Sequence, residues 1–467
     1  MVLRRGNGVR LRYDACIIGA GADGLAAGAW LAARGLKVVV VERDSHAGGR
    51  CATRQFHPGF RASPFADELP EIPPAIFRAL DLARRGAVFS CAAEPEPQPE
   101  ADAIRAQLLA RVFADAETPP QRRPLFAPRH ARMRPWPGED LAARSLADCG
   151  AAVPLDGGLC DPSLAGSAIA LLAGVSAGMP AGGLGRLAEA LRAAAEEAGA
   201  EISCGLEVTD IRRKRGRAVA AGLADGSEIA ARAFISTLDL RRTFLSLFAW
   251  NELPRALIDL VGAFRAAPGT ARLLLALAAP PDGSHNEAWR APVRVASANA
   301  AEAYRAWRAG TVPDRPPATL RLVTAVDPFM APQGCATLTV TLGAIPHTPF
   351  DGAWTHDKRN KLRDAALAIA EQALPGTIAR LKAVEMIVPP DVENQLALSE
   401  GDLFGGDLSA TQMLGFRPFP ECAGTRTPVE GLYLAGPSSA LGPLMTCAAG
   451  VAAATAVLAD MDAGRLR

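Results

Sequence analysis

Three glycines near the N-terminus have the spacing of a dinucleotide-binding turn. They lie in the segment Gly19-Ala20-Gly21-Ala22-Asp23-Gly24, directly after a short apolar run. The first glycine of such a pattern permits a tight turn, the second allows the backbone to approach a pyrophosphate, and the third allows a helix to pack closely on a strand. Backbone N–H groups and the positive end of the helix then face the phosphates. The predicted dinucleotide contacts are therefore Gly19, Gly21, Ala22, Asp23 and Gly24.

The elements on either side of this turn are the ones that such a site requires. Residues 15–18 predict a buried parallel strand, and residues 23 to about 34 predict a helix that Gly35 ends. A second apolar strand ends at Glu42, about twenty residues after the turn, where a carboxylate accepts the ribose hydroxyls. The same carboxylate would repel a 2′-phosphate. These residues leave the choice between FAD and NAD open.

A second glycine pair, Gly48-Gly49, follows Glu42 and is followed at once by Arg50. The pair predicts another close approach of the backbone to the nucleotide, and the guanidinium is suited to bidentate contact with a pyrophosphate. Together with the glycine turn, this stretch resembles the N-terminal signature of the flavin amine oxidase and phytoene desaturase superfamily. The resemblance implies FAD as the cofactor, with Arg43, Gly48, Gly49 and Arg50 among its contacts.

The C-terminal block resembles the same superfamily. Residues 431–436 predict a strand that ends in glycine, and small residues from about Thr446 predict a helix whose start can approach a ring or a phosphate. In the superfamily this segment lies along the isoalloxazine ring. The resemblance therefore implies flavin contacts at Gly436, Pro437, Ser438, Met445 and Thr446. One departure is the bulkier, more apolar loop 440–444, where the superfamily has a His-Pro and several glycines. Such a loop either reshapes access of the substrate or leaves the flavin site partly degenerate.

The middle of the chain carries a third stretch of resemblance. It predicts a helix over 184–197, a strand over 200–204, and two alternating strands around Asp225-Gly226, the second ending in the apolar run 233–236. In the superfamily this region closes the FAD domain, which implies that Val208 packs near the adenine.

The order of these stretches predicts an α/β fold, in which a glutathione-reductase-type FAD-binding Rossmann domain is interleaved with a mixed α+β substrate domain. The predicted FAD-binding domain comprises residues 12–70, 176–245 and 395–467, and the predicted substrate or cap domain comprises residues 71–175 and 246–394. Strand candidates in the second of these cap segments begin at Ala271, Thr319 and Cys335, and a helix is predicted over 357–374. We expect them to form a mixed sheet covered by helices.

Composition limits the class of protein. The 467 residues are too many for one ordinary core, and 49% apolar with 21% charged residues is a globular composition. A formal net charge of +1 predicts no nucleic-acid partner. Nine cysteines without a CxxC pair are typical of buried thiols in a reducing cytosol, and no apolar run reaches the roughly 18 residues of a membrane span. The sequence predicts a cytoplasmic protein without a metal site. The basic, Pro-rich segment 117–138 is interpreted as a solvated loop or as a peripheral membrane contact.

The function implied by the resemblance is that of an FAD-dependent oxidoreductase of the phytoene dehydrogenase type. Such an enzyme removes a hydride equivalent from a small hydrophobic substrate, isoprenoids being one class, and forms a C=C bond. Flavin amine oxidation and a non-catalytic lipid-binding carrier on the same fold are the alternatives. Spacing identifies no catalytic base. Asp402 and Asp407 are candidates for a polar group near the cavity or for turn formation, and Cys447 for a thiol of lowered pKa or for small-residue packing.

Overall fold

The computed structural model describes residues 10–90, 167, 178–291, 293–295, 300–413, 416–422, 424–443 and 446–466. The predicted flavin contact Met445, the last residue of the loop 440–444 and the basic segment 117–138 lie outside the described residues. The described strands are β1 (Arg10–Ile18), β2 (Val38–Glu42), β3 (Arg54–His57), β4 (Phe60–Ala62), β5 (Phe89–Ser90), β6 (Met179–Pro180), β7 (Glu201–Cys204), β8 (Val208–Lys214), β9 (Arg217–Leu223), β10 (Glu228–Ser236), β11 (Gly269–Leu277), β12 (Val293–Val295), β13 (Ala318–Leu322), β14 (Ala336–Ile345), β15 (Leu381–Ile387) and β16 (Leu432–Leu434).

Nine α-helices are described between and after these strands. They are α1 (Ala22–Ala32), α2 (Pro74–Ala79), α3 (Gly185–Glu197), α4 (Arg255–Gly262), α5 (Ala300–Arg308), α6 (Val323–Val326), α7 (His356–Ala373), α8 (Pro389–Leu396) and α9 (Ala448–Asp462). Among the described residues, no helix combines the length and the apolar character that crossing a membrane would require.

The strands around the predicted nucleotide turn form one seven-stranded sheet. Its order is β7-β2-β1-β10-β9-β8, with β16 also paired to β10. The pairs β7–β2, β2–β1, β1–β10 and β10–β16 are parallel, whereas β8, β9 and the start of β10 are antiparallel. Parallel strands end at the same edge of a sheet, so the turn after β1, Glu42 at the end of β2 and the residues after β16 meet there. The predicted α/β fold with a parallel Rossmann sheet is confirmed.

Apolar side chains cover both faces of this sheet. Leu25 of α1, Leu187 of α3 and Val457 of α9 belong to one buried cluster. Phe234 of β10 and Phe244 belong to a second cluster. Burial on both faces explains why β1 and β2 read as continuous apolar runs instead of alternating ones.

A smaller sheet has the order β12-β13-β14-β11-β15, and its neighbouring strands are all antiparallel. The expectation of a mixed sheet here is therefore wrong. Apolar periodicity marks a strand but does not show the direction of its partner, because the pairing joins residues distant in the chain. One face of the sheet packs through Leu273, Leu320 and Val340 against Leu362 of α7.

The strand candidate that begins at Thr319 is shorter than the apolar run 319–326 from which it is predicted. The chain leaves the smaller sheet after Leu322 and forms the single-turn helix α6. The carboxylate of Asp327, just beyond this turn, accepts hydrogen bonds from the backbone N–H groups of Phe329 at 3.0 Å and Gly182 at 2.5 Å. The contact with Phe329 is local and favours a turn, whereas Gly182 lies 145 positions away, so a tertiary contact also opposes continuation of the strand through the valines of α6.

A buried ion pair joins the smaller sheet to the segment that follows β4. The Arg272 guanidinium of β11 donates to both carboxylate oxygens of Asp67, at 3.1 and 2.7 Å, and the Thr339 hydroxyl of β14 donates to the same carboxylate at 2.7 Å. Arg272 is 4% exposed. Leu69 and Pro70, only two and three residues after Asp67, line the main cavity described below. The ion pair therefore fixes the smaller sheet next to that cavity.

Candidate functional site

The three glycines of the turn after β1 have the three steric roles that the spacing predicts. Gly19 has a φ of +98°, and a Cβ there would overlap the Thr237 hydroxyl. A Cβ on Gly24 would overlap the carbonyl oxygen of Gly19, so the start of α1 packs directly on the end of β1. A Cβ on Gly21 would meet no atom within 4 Å. The middle glycine thus faces open space, as a backbone that is to receive a pyrophosphate must.

That open space is a cavity of about 350 Å³ along the carboxyl edge of the seven-stranded sheet. This volume lies in the range of small-molecule and cofactor sites. Most of the predicted cofactor contacts line it: Gly19, Gly21, Ala22, Asp23, Glu42, Arg43, Gly49, Arg50, Val208, Pro437 and Thr446. The structure therefore brings the N-terminal, middle and C-terminal predictions to one site, and their contact with the cofactor stays a prediction.

Glu42 is oriented by backbone N–H groups at the end of β2. Its Oε2 accepts from Ala20 N–H at 2.7 Å and its Oε1 from Asp44 N–H at 3.0 Å. Burial raises the pKa of Glu42, and these two hydrogen bonds oppose that shift. Each oxygen retains lone pairs, so the carboxylate can accept further hydrogen bonds from ribose hydroxyls.

The glycine pair after β2 lies directly against the first turn. Gly48 N–H donates to Ala20 O at 2.9 Å, and a Cβ on Gly49 would lie 3.4 Å from the Cα of Gly21. The neighbouring Arg50 lines the cavity, donates to the carbonyl of Leu403, and has its guanidinium carbon 5.9 Å from the centre of the Phe404 ring. Arg50 is thus held from the C-terminal side of the cavity while it lies beside the predicted pyrophosphate position.

Asp23 connects the glycine turn to the last helix. Its Oδ1 accepts a hydrogen bond from Gly450 N–H, at the start of α9, at 3.2 Å. A Cβ on Gly450 would overlap the carbonyl oxygen of Asp23, so only glycine allows this approach. Burial raises the pKa of Asp23 to about 7, while the Gly450 N–H and the charge of Arg50 oppose the rise. The side chain predicted as a cofactor contact also caps a helix more than 400 residues away in the chain.

The C-terminal block forms the opposite wall of the cavity. Pro437, Gly442 and Thr446 line it together with Leu69 and Pro70. The Thr446 hydroxyl donates to Pro70 O at 2.7 Å, which closes the wall between the two segments.

The other predicted contacts shape the walls from behind. Gly436 packs so closely on the end of β10 that a Cβ would overlap Thr237 O. The Ser438 hydroxyl accepts from Leu240 N–H at 3.1 Å and is 2% exposed. Neither residue lines the cavity, and neither do Gly24 and Gly48. Their role in the described structure is to position the residues that do.

Sequence reasoning missed part of the cavity wall. Residues 395–398, at the end of α8 and just beyond it, line the cavity, as do Arg242, Ser246 and Leu247. The Arg43 guanidinium donates to Asn394 O at 2.7 Å and to Gln395 O at 2.6 Å, across more than 350 positions of sequence. No spacing or residue pattern identifies these contacts, because they depend only on how α8 packs against the end of β2.

Asp402 and Asp407 are turn-forming residues and do not line the main cavity. The Asp402 carboxylate accepts from the N–H groups of Phe404, Gly405, Gly406 and Ala267 at 2.6 to 3.0 Å. Asp407 Oδ1 accepts from the Ser409 hydroxyl at 2.6 Å. The structure thus favours turn formation, and not a polar group near the cavity, as the role of both residues.

Cys447 is buried, and burial raises its pKa. The proposal of a lowered thiol pKa is therefore wrong. A helix start or a nearby cation lowers a thiol pKa, whereas burial in apolar surroundings raises it, and here the small side chain packs into the core beside Asp23.

The cavity fits a flavin dinucleotide. It offers an unobstructed glycine backbone, an oriented carboxylate about twenty residues further on, and a second wall of small residues at a helix start. The profile of the family of FAD-dependent oxidoreductases named DAO matches residues 14–248, half of the chain. The chain belongs to this family of FAD-dependent oxidoreductases.

Known proteins agree with this membership. The mouse protein named pyridine nucleotide-disulfide oxidoreductase domain-containing protein 2 is 25% identical over 96% of this chain and 94% of its own length. The 4,4'-diapolycopene oxygenase of a Methylomonas species is 26% identical over 50% of this chain and 46% of its own. Cyclohexylamine oxidase from Brevibacterium oxydans IH-35A has a similar fold, with a TM-score of 0.57, 16% identity, and 96% and 99% of the two chains covered.

The protein is thus an enzyme, an FAD-dependent oxidoreductase with FAD as its cofactor. The resemblance read from the sequence motifs is confirmed at this level.

Proposed function

We propose that this FAD-dependent oxidoreductase removes a hydride equivalent from a hydrophobic substrate and forms a C=C bond. The adjacent carbon releases a proton to solvent, so the substrate loses two electrons and two hydrogens in all. Bound FAD supplies the acceptor for the electron pair, and the protein supplies position and the exclusion of water. The relationship to an oxygenase named for 4,4'-diapolycopene supports a substrate of this class.

The observation that carries the proposal is the character of the C-terminal wall. Its described lining residues, Leu69, Pro70, Pro437, Gly442 and Thr446, include no ionisable side chain. The charged lining residues, among them Asp23, Glu42, Arg50, Glu207 and Arg242, come from other segments of the chain. An apolar wall suits an apolar carbon skeleton, and removal of a hydride equivalent requires no charged protein group at the reacting carbon.

Amine oxidation is the alternative on this fold. Its support is similarity of fold to amine oxidases at 14 to 16% identity, which does not extend to the substrate. A lysine beside the flavin would favour it, and no lysine lines the cavity in the described part of the chain. A non-catalytic carrier is a weaker alternative, because the cavity beside the glycine turn is accessible and suited to the cofactor.

The proposal is tested by anaerobic reduction of the purified holoenzyme. We expect isoprenoid polyenes presented in detergent micelles to bleach the visible absorbance of the flavin, with a product lighter by two hydrogens in its mass spectrum. Dithionite provides the full extent of bleaching for comparison. Bleaching by aliphatic amines and not by polyenes would instead establish the amine oxidase alternative.

A further inference from the structure

Arg417 is fully buried, with 0% of its surface exposed. Every hydrogen bond that its guanidinium group donates to oxygen goes to a main-chain carbonyl group. Within the described part of the chain, no carboxylate lies within ion-pairing distance of it. The guanidinium connects three segments, which are residues 404–407, Gln412 and the turn 437–439. Its contacts are Nε to Ser439 O at 3.2 Å, Nη1 to Asp407 O at 3.2 Å and Gln412 O at 3.4 Å, and Nη2 to Phe404 O at 2.8 Å, Gly405 O at 3.0 Å and Pro437 O at 2.9 Å.

The nearby carboxylates are engaged elsewhere. Asp402 accepts four backbone N–H groups, and Asp407 Oδ2 accepts from the Arg265 guanidinium at 2.9 Å. Burial lowers the pKa of Arg417 to about 10, and the charges of Asp402 and Asp407 oppose that shift. Arg417 is therefore a cation at neutral pH, and its charge is balanced by carbonyl dipoles and only at a distance by carboxylates.

One of the three segments, the turn 437–439, begins at the cofactor cavity. Pro437 lines the cavity with one part and offers its carbonyl to Arg417 with another. The turn packs directly on residues 404–407, because a Cβ on Gly405 would lie 2.6 Å from both Pro437 C and Ser438 N. It therefore has no room to move toward that segment. The cation thus lies behind the wall that the apolar C-terminal block presents to the cavity.

We propose that Arg417 is a positioning residue that holds the turn 437–439 against the cofactor and places a positive charge behind it. This inference rests on the proposed function, and on the flavin ring lying at the C-terminal wall as the resemblance of that block implies. Reduction of FAD adds negative charge to the ring system, and a fixed cation in a buried, poorly screened position stabilises that charge. The same residue thereby holds the wall in place and favours the reduced cofactor.

The test compares Arg417→Met with Arg417→Lys in the holoenzyme, by the reduction potential of bound FAD and the FAD dissociation constant. For Arg417→Met we expect the reduction equilibrium to shift at least tenfold toward oxidised FAD, about 30 mV for a two-electron couple. For Arg417→Lys we expect a potential close to that of the wild type. The dissociation constant should still rise about tenfold, because one ammonium cannot replace the contacts with three segments.

Two further variants distinguish an effect of the Arg417 charge on the potential from a general loss of stability. Asp402→Asn keeps one hydrogen-bond acceptor but removes a nearby negative charge. At pH 8 this variant should shift the reduction equilibrium toward reduced FAD, which is opposite to the shift expected for Arg417→Met. Arg426→Met is the matched control. Arg426 pairs with Asp460 at 2.9 Å and does not line the cavity, so this variant should lower the melting temperature and leave the potential unchanged.

Unchanged potentials in Arg417→Met and Asp402→Asn would overturn the proposal and leave Arg417 as a structural clamp. None of these measurements needs a substrate. A failed substrate screen would therefore contradict the proposed reaction without affecting the role of Arg417.

Discussion

Gly21 and Gly24 lie three residues apart, but a methyl group added at each would meet different surroundings. At Gly24 it would overlap the backbone of Gly19, and at Gly21 it would enter empty space at the edge of the cavity. The φ of Gly21 is −70°, which any residue adopts. One glycine is therefore required by the fold and the other by what occupies the cavity.

The two alanine variants should separate these requirements. We expect Gly21→Ala to leave the melting temperature of the apoprotein unchanged and to weaken FAD binding at least about tenfold, because the methyl group occupies the space predicted for the pyrophosphate. Gly24→Ala should destabilise the apoprotein itself, by about 1–3 kcal/mol, through overpacking. Thermal unfolding of the apoprotein and fluorescence titration with FAD measure both effects. Full FAD affinity in Gly21→Ala would show that the pyrophosphate lies elsewhere.

At the scale of elements, Asp23 couples the start of α1 to the start of α9. The contact joins the first and the last helix of the described chain at the cavity edge, through the Gly450 N–H. A carboxylate near a helix N-terminus is favourable for the helix, whereas its burial is unfavourable for the charge. Because burial dominates, the pKa of Asp23 rises to about 7.

This pKa predicts how the stability of the apoprotein depends on pH. An unfolded Asp has a pKa of about 3.9, so between about pH 4 and pH 7 the folded state binds a proton that the unfolded state releases. The contribution of Asp23 to stability is thus fully present below about pH 4 and is lost as the pH rises through 7. Asp23→Asn keeps the acceptor for Gly450 N–H without the charge. Its stability should match that of the wild type near pH 4 and exceed it at pH 8.

Urea unfolding of the two apoproteins across this range measures the difference. A stability gap that stays constant with pH would contradict the raised pKa of Asp23. A loss of stability at every pH, including pH 4 where Asp23 is protonated, would show that the amide group does not fit the site of the carboxyl group.

At the scale of the whole molecule, the smaller sheet is joined to the segment after β4 through buried charge as well as through apolar packing. The pair of Asp67 and Arg272 lies between the segment that leads into the cavity and the strand β11. Removing one member of a buried pair leaves an uncompensated charge and costs about 3–5 kcal/mol, whereas replacing both members can be nearly neutral.

A double-mutant cycle tests this connection. We expect Arg272→Met and Asp67→Asn each to lower the free energy of unfolding by about 3–5 kcal/mol, and the double variant to be more stable than the sum of the two losses predicts. The control is Arg255→Met, because Arg255 and Asp259 are 2.8 Å apart but largely exposed, and such pairs contribute about 0–1 kcal/mol. Additive losses in the cycle would show that the two residues do not act as a pair.

Local sequence patterns were enough to predict the glycine turn, the parallel strands before and after it, the carboxylate of Glu42 and the small-residue start of α9. Each is encoded by local steric or periodic requirements: a positive φ at Gly19, close packing at Gly24, and apolar runs in strands buried on both faces. The family and the cofactor could be read from these short segments because each carries its own physical signature within a few tens of residues.

The assembly of the rest of the site depends on tertiary contacts that the local sequence does not predict. The cap from Asp23 to Gly450, the Arg43 contacts beyond α8, the carbonyl cage of Arg417 and the antiparallel direction of the smaller sheet join residues that no spacing relates. Asp402 and Cys447 show the same limit, since backbone donors surround the first and packing excludes water from the second. The environment of a side chain depends on which distant segments pack against it, and the chain order alone does not specify those segments.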